Sequence, residues 1–283
     1  MGPVMGRALM IVATIALLAA CRGENAKGAS RLAQESLANM LSLRSYRLEM
    51  EMDGRPIGAM EFLIPARYRF VTPVDLTREG SGVVETVWAV DFLYYRRCKR
   101  EKEECEPWQK QFPTPIPIGR PDSMSVYVPG WPLTFLEMAQ GLQRESETQL
   151  NGKEVTVLKG QINHVRAFLE NYRRAYARVG RDNLGEECTQ GPSGEKECRP
   201  ITLETLLERQ KDSISYYDAH PATIWAWIGA KDGLLYMLRL QIPPFQNQGQ
   251  GTTVAARFLG FNEVVVDIPV VFPTTTTSPT PTP

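Results

Sequence analysis

The sequence predicts an α+β protein: one large, strongly curved antiparallel β-sheet covered by α-helices on its apolar side. Three observations predict it. Residues 46–53 alternate without a break, Tyr46, Leu48, Met50 and Met52 against Arg47, Glu49, Glu51 and Asp53, which is the period of a strand dry on one face and wet on the other. Asn151-Gly152 and Asp232-Gly233 each sit between two expected strands, and such dipeptides favour tight hairpins. The helical stretches are inserted among runs of strands, an order that belongs to α+β folds.

Each element follows from local chemistry. Residues 31–43 place Leu32, Leu37, Met40, Leu41 and Leu43 among polar neighbours behind Ser30, an amphipathic helix with a plausible cap. The 46–53 strand turns at Gly54-Arg55-Pro56, and Gly58, Met60, Phe62 and Ile64 line the return strand. The pattern resumes at 83–96, where Val84 to Trp88 leads to Phe92 to Tyr95. The charge run 96–105 reads as a solvated hairpin tip, and 107–131 is proline-rich and irregular. A helix is predicted over 132–143, and strands 144–150 and 153–161 meet across Asn151-Gly152. A helix over 163–179 has Val165, Phe168, Leu169 and Tyr172 on one face, with Arg166, Glu170, Arg173, Arg174 and Arg178 on the other. A polar loop covers 182–200, and a further helix covers 201–212. Strands at 222–229, 234–242, 252–260 and 263–268 close the sheet. Three or four helices are few for so many strands, so the sheet is expected to curl into a cup with an apolar cavity, a shape that holds ligands in its mouth.

Composition bounds the partners. With 32 Lys+Arg against 32 Asp+Glu the chain is formally neutral, so no global field recruits nucleic acid. The apolar run from Ala8 to Ala20 follows a single charge, Arg7; this is the order of an export signal, and it is shorter than a membrane span. Of the five cysteines, four follow Cys21: Cys98, Cys105, Cys188 and Cys198. In an exported chain an even number reads as disulfides, and spacing favours Cys98 with Cys105 and Cys188 with Cys198. Zinc, which prefers tighter spacing, is the competing reading. The expected organisation is a signal at 1–20, a flexible tether at 21–30, one domain at 31–272 and a disordered Thr/Pro-rich tail at 273–283.

Leu18-Ala19-Ala20-Cys21 resembles the lipobox of bacterial lipoproteins. The resemblance implies that the Cys21 thiol takes a diacylglycerol, that the peptide is cut before it, and that the chain is anchored by acyl chains to the extracytoplasmic face of a cell membrane. An ordinary secretory signal or an uncleaved anchor also fits these residues. Three stretches carry a second likeness: Ser45-Tyr-Arg-Leu-Glu-Met-Glu-Met52 after the first helix, the hairpin from Trp225-Ala-Trp-Ile-Gly through Asp232-Gly-Leu to Leu240, and Gly260-Phe-Asn-Glu-Val-Val-Val-Asp-Ile-Pro269. With these, the chain over 31–269 resembles the LolA/LolB-like and LprG/LppX-like envelope lipoproteins. This likeness implies a half-barrel whose cavity takes a lipid or lipidated molecule for transfer or retention in the cell envelope. The alternative on the same fold is an envelope sensor or assembly factor holding a protein partner. Ala230 stands where the family carries an acidic residue.

Enzymatic signatures are missing. No nucleophile elbow, P-loop, H-E-x-x-H or Gly-rich dinucleotide turn occurs, and the two histidines, His164 and His220, lie at a helix start and in a turn, where surface or capping roles are usual. No catalytic residue, metal or cofactor is expected. The candidate cavity-lining set is aromatic and methionine: Tyr46, Met50, Met52, Met60, Phe62, Trp88, Phe92, Tyr94, Trp225, Trp227 and Tyr236. The same side chains fit an ordinary filled core, and the arginines of 163–179 fit either anionic head groups or a plain solvated face.

Overall fold

The computed structural model describes residues 25–63, 67–76, 80–89, 92–99, 104–111, 130–178, 186–190, 196–200, 202–247, 249–267 and 269. The signal expected at 1–20, Cys21, most of the proline-rich stretch and the tail expected at 273–283 lie outside the described residues.

The first helix, α1, runs over 25–42. Strands β1 (Ser45–Met52), β2 (Arg55–Leu63), β3 (Arg67–Leu76), β4 (Gly80–Ala89), β5 (Phe92–Lys99) and β6 (Gln109–Gln111) follow. Next come α2 (Trp131–Met138), β7 (Gln140–Leu150), β8 (Lys153–Ile162) and α3 (His164–Arg178). The chain continues with β9 (Glu186–Gln190), β10 (Lys196–Pro200), α4 (Leu203–Arg209) and α5 (Lys211–Ala219), and closes with β11 (Ala222–Gly229), β12 (Leu235–Ile242) and β13 (Thr252–Leu259). The class is α+β with extensive antiparallel pairing. Among the described residues no helix is long and apolar enough to cross a membrane.

The chain forms two compact units, the first from 1–43, 48–56 and 115–259, the second from 44–47, 57–114 and 260–283. In the first, the ladder order is β1-β13-β12-β11-β8-β7. One face of it is dry: Leu48 and Met50, then Val254, Ala256 and Phe258, Leu238 and Leu240, Ile224, Ala226 and Ile228, and Leu158 are all buried. Asn151 and Gly152 both take positive φ, 53° and 78°, the type I′ geometry the dipeptide favours. Asp53-Gly54 does the same at 49° and 74°, so β1 turns one residue earlier than its proline suggests. The helix α3 packs on α2, α4 and α5.

Several expected boundaries move for identifiable reasons. Residues 25–30, read as part of a tether, belong to α1. Their buried apolar side chain is Ala29, and a small residue gives little hydropathy signal. The helix predicted over 132–143 stops at Met138, because Ala139 is extended and Gly141 has φ 61°, and β7 begins at Gln140 with two register shifts. The 182–200 loop contains a hairpin, β9 with β10, in which Cys198 stands opposite Cys188; Cys198 is disulfide-bonded. The 201–212 helix is two helices that meet at Gln210, and α4 is capped by Thr202 Oγ1, which accepts from Thr205 N at 3.1 Å.

In the second unit the order is β6-β5-β4-β3-β2. Cys98 and Cys105 are bonded at the base of the charged tip, flanked by Lys99 N to Glu104 O and Glu106 N to Arg97 O at 2.9 and 2.8 Å. The expected strand at 263–268 does not join the ladder. Residues 261–263 turn, with Asn262 at φ 63°, and Val264 N donates to Ser45 Oγ at 3.1 Å. Side-chain bonds thus take the place of ladder bonds there, and Val266 packs across Val87 and Tyr94, covering a sheet face.

That face also carries alternating charge. Glu61 stands opposite Arg69, and Glu85 opposite Arg96. The buried Glu85 carboxylate accepts from Arg69 Nη2 and Arg96 Nε, both at 2.5 Å. Burial alone would raise the Glu85 carboxyl, but the hydrogen bonds from Arg69 and Arg96 overcome it and hold it below the usual carboxylate range. Glu85→Ala takes the shared carboxylate from Arg96 and leaves Arg69 with Glu61 alone, at 3.6 Å. We expect it to lower stability by about 2 kcal/mol, less than for a fully buried pair because both arginines reach water; a urea midpoint unchanged at constant slope would contradict this.

Candidate functional site

The dry face of the first unit follows from strand periodicity. On β11, Ile224, Ala226 and Ile228 point one way and Trp225 and Trp227 the other. The Ile224, Ala226 and Ile228 side matches Leu240 and Leu238 across the ladder. Met50 lies on the same kind of dry alternation in β1, and Met52 at its end is half-buried.

The opposite face gathers a second group. Trp225 stands between Lys159 on β8 and Arg239 on β12. Lys159 Nζ lies 5.3 Å and Arg239 Cζ 5.9 Å from the Trp225 ring centroid, cation–π range. Lys159 also meets Glu145 at 3.1 Å. Two residues on, the β11–β12 pairing shifts register between Trp227 and Ile228. Tyr236 is the extra residue of that bulge, and its ring lies over Gly229, where an added Cβ would come within 2.8 Å of Cε2. Glycine is required there by that close approach. Lys153 Nζ donates to Tyr236 Oη and Tyr236 Oη donates to Asp232 Oδ2, both at 2.6 Å. Burial pushes the Tyr236 hydroxyl above its ordinary pKa, and the Asp232 carboxylate adds to it.

The eleven candidate lining residues therefore divide. In the second unit Tyr46 stacks on Phe62 with centroids 4.6 Å apart, and Met60 shares the Phe62 side of β2. Trp88 joins that side through the register Phe62–Tyr68–Trp88, though its side chain, like that of Phe92, lies outside the described residues. Phe92 and Tyr94 fall on the opposite side, where Tyr94 packs with Val87 and Val266. In the first unit Met50 faces the dry side, whereas Trp225, Trp227 and Tyr236 share the cationic side. Met50 and Met60 keep only 1% and 2% of their surface, so their walls are closed by the protein's own atoms.

The arginine face of α3 is consumed internally. Arg166 meets Asp218 at 2.6 Å, Arg173 meets Glu170 at 2.6 Å, and Arg174 reaches both Glu137 and Glu170. Hydrogen bonds from Arg173, then Arg174, hold the Glu170 carboxyl at about 2. The Arg178 side chain lies outside the described residues.

His220 caps α5 at the surface, as expected, with Nδ1 3.1 Å from Tyr216 O. His164 is half-buried: its ring packs edge-on against Tyr217 at 4.3 Å, and its buried Nδ1 has no partner among the described residues. Burial lowers its pKa from 6.5 to about 4. The folded chain thus keeps His164 neutral where the unfolded chain protonates it. Stability is full above about pH 6.5 and falls as pH drops towards 4, by about 3 kcal/mol in all. His164→Phe is expected to flatten that slope in urea titrations between pH 4 and 6.5; an unaltered slope would contradict the assignment.

These features define an antiparallel α+β sheet protein with one closed dry face and one aromatic, cationic face in its first unit. No family model matches the chain, and no curated protein matches it. Among solved structures, it is similar to the lipoprotein LppX of Mycobacterium tuberculosis, at 12% identity and TM-score 0.44 over 85% of this chain and 98% of that one. It is similar to LprF of Mycobacterium bovis, at 12% identity and TM-score 0.45 over 85% and 95%. A DUF1329 family protein of Desulfovibrio piger aligns at 9% identity and TM-score 0.21 over 83% and 91%. LppX-type lipoproteins, named above from the sequence, are thus among its structural neighbours.

Proposed function

We propose that this chain is a membrane-anchored lipoprotein of the cell envelope, held on the extracytoplasmic face by lipid on Cys21. Its antiparallel sheet takes a lipid or lipidated molecule into an apolar cavity, for transfer or retention. The observation that supports this reading is the extent of the dry face in the first unit, where apolar side chains run without interruption from Leu48 and Met50 through Phe258, Leu240 and Ile224 to Leu158; the protein's own atoms close that face here, so on this reading an acyl chain enters by displacing them. A surface of that extent matches acyl chains, which gain about 0.8 kcal/mol per CH₂ on leaving water. The flexible thioethers of Met50 and Met52 suit a wall that re-forms around variable chains. In the second unit Tyr46, Met60 and Phe62 form a similar aromatic–methionine set. We assign no catalytic role to any residue.

Titration with a fluorescent fatty acid tests the reading. Saturable one-to-one binding, displaced by lipid extracted from the source membrane, is expected; unsaturable partitioning alone would contradict it. A second reading is favoured by the closure around Met50 and Met60. On it the same fold is an envelope sensor or assembly factor, and a stoichiometric protein partner without lipid is the result that selects it.

A further inference from the structure

We infer that the face of the first unit carrying Lys159, Trp225, Trp227 and Arg239 rests on an anionic lipid surface, that of the membrane to which the chain is anchored. The inference deepens the proposed function and rests on its reading of Cys21 as acylated.

Charge complementarity is the first argument. Trp225 and Trp227 are partly exposed side by side on β11, where water-facing positions of a strand are ordinarily polar. Indole is amphipathic and favours the head-group layer of membranes. The cross-strand neighbours of Trp225 are both cations, Lys159 and Arg239, whereas those of Trp227 are Val157 and Met237. Arg239 is exposed and, among the described residues, meets no carboxylate within ion-pair distance. Lys159 shares its charge between Glu145 and the ring. Arg166, Arg173 and Arg174 of α3, by contrast, are already neutralised by Asp218, Glu170 and Glu137.

The second argument is where the anchor emerges. Asn25 Oδ1 accepts from Arg144 N at 3.3 Å, which ties the start of α1 to β7. In the ladder β7 and β11 are separated only by β8, so β11 lies about 10 Å from β7. Cys21 precedes Asn25 by four residues, a reach of at most about 14 Å. A lipid on Cys21 therefore holds this edge of the sheet near the bilayer. A neutral indole pair alone would fit any apolar partner; the flanking cations and the short leash select an anionic bilayer.

The test uses the acylated chain reconstituted in vesicles of phosphatidylcholine with phosphatidylglycerol, the acyl chains brominated near the head group. Bromine is expected to quench emission from two of the chain's five tryptophans, and the quenched fraction should vanish in the Trp225→Phe/Trp227→Phe variant. Lys159→Glu/Arg239→Glu, both at exposed positions, should abolish it while leaving the urea midpoint unchanged. Unquenched emission in the parent would overturn the inference, and so would equal quenching in pure phosphatidylcholine. Intact mass reads the anchor separately. A diacylated chain with unquenched tryptophans keeps the anchor and overturns the docked face, whereas a quenched chain without the acyl mass keeps the face and overturns the anchor.

Discussion

Cys21→Ser, placed behind an ordinary cleavable secretory signal in exchange for residues 1–20, is expected to move the protein from the membrane fraction to the soluble fraction. A single myristoyl chain gives only marginal, reversible attachment, with an association constant on the order of 10⁴ M⁻¹, and stable anchoring needs a second signal. A diacylglycerol supplies two chains on one sulfur. On the proposed reading its loss removes essentially all salt-resistant attachment, and the remaining contact is that of the inferred Trp225 face, which high salt should release because it depends on Lys159 and Arg239. Fractionation in low and high salt, with intact mass of both forms, measures this. A Cys21→Ser chain that stays bound through a high-salt wash would show that the anchor lies elsewhere.

Phe258→Ala is the packing change with the largest expected effect. Phe258 has no accessible surface, and Val254 and Ala256 on the same side of β13 have none either. Across the ladder Leu238 stands opposite Ala256 and Leu240 opposite Val254. Truncation there removes the transfer free energy of the ring and leaves a cavity between rigid strands, a cost of about 4 kcal/mol. Urea unfolding should show it as a lower midpoint at unchanged slope. Trp225→Phe, on the partly exposed face, should stay within about 0.5 kcal/mol of the parent. A cost below about 1 kcal/mol for Phe258→Ala would mean that the dry face is not closed by the protein's own atoms.

The legible parts of the fold were those written in local chemistry. The 46–53 alternation, Asn151-Gly152 and the spacing of Cys98 and Cys105 each fix a short piece of chain, with β1 ending at Met52 rather than Asp53, and Asp232-Gly233 lies in a five-residue connection between β11 and β12 in which only Gly233 has positive φ. Boundaries moved where signals were weak: Ala29 helps extend α1 without hydropathy, and Gly141 ends a helical pattern that Leu142 continues only in sequence. The candidate site was half legible. Residue type picked out Trp225, Trp227 and Tyr236, but not their side of the sheet. Lys159 and Arg239 reach Trp225 only through a cross-strand register, and Tyr236 changes side through a bulge. Neither is local in sequence. His164 looked like a helix-start residue because its burial comes from Tyr217, more than fifty positions away.

The most direct measurement is native mass spectrometry of the chain extracted gently from its own membrane. The account predicts one lipid or lipidated molecule per chain, beyond the acyl groups on Cys21, that is released on unfolding. Chains that carry the Cys21 lipid alone, across repeated extractions, would contradict a carrier and leave an anchored protein with a filled interior.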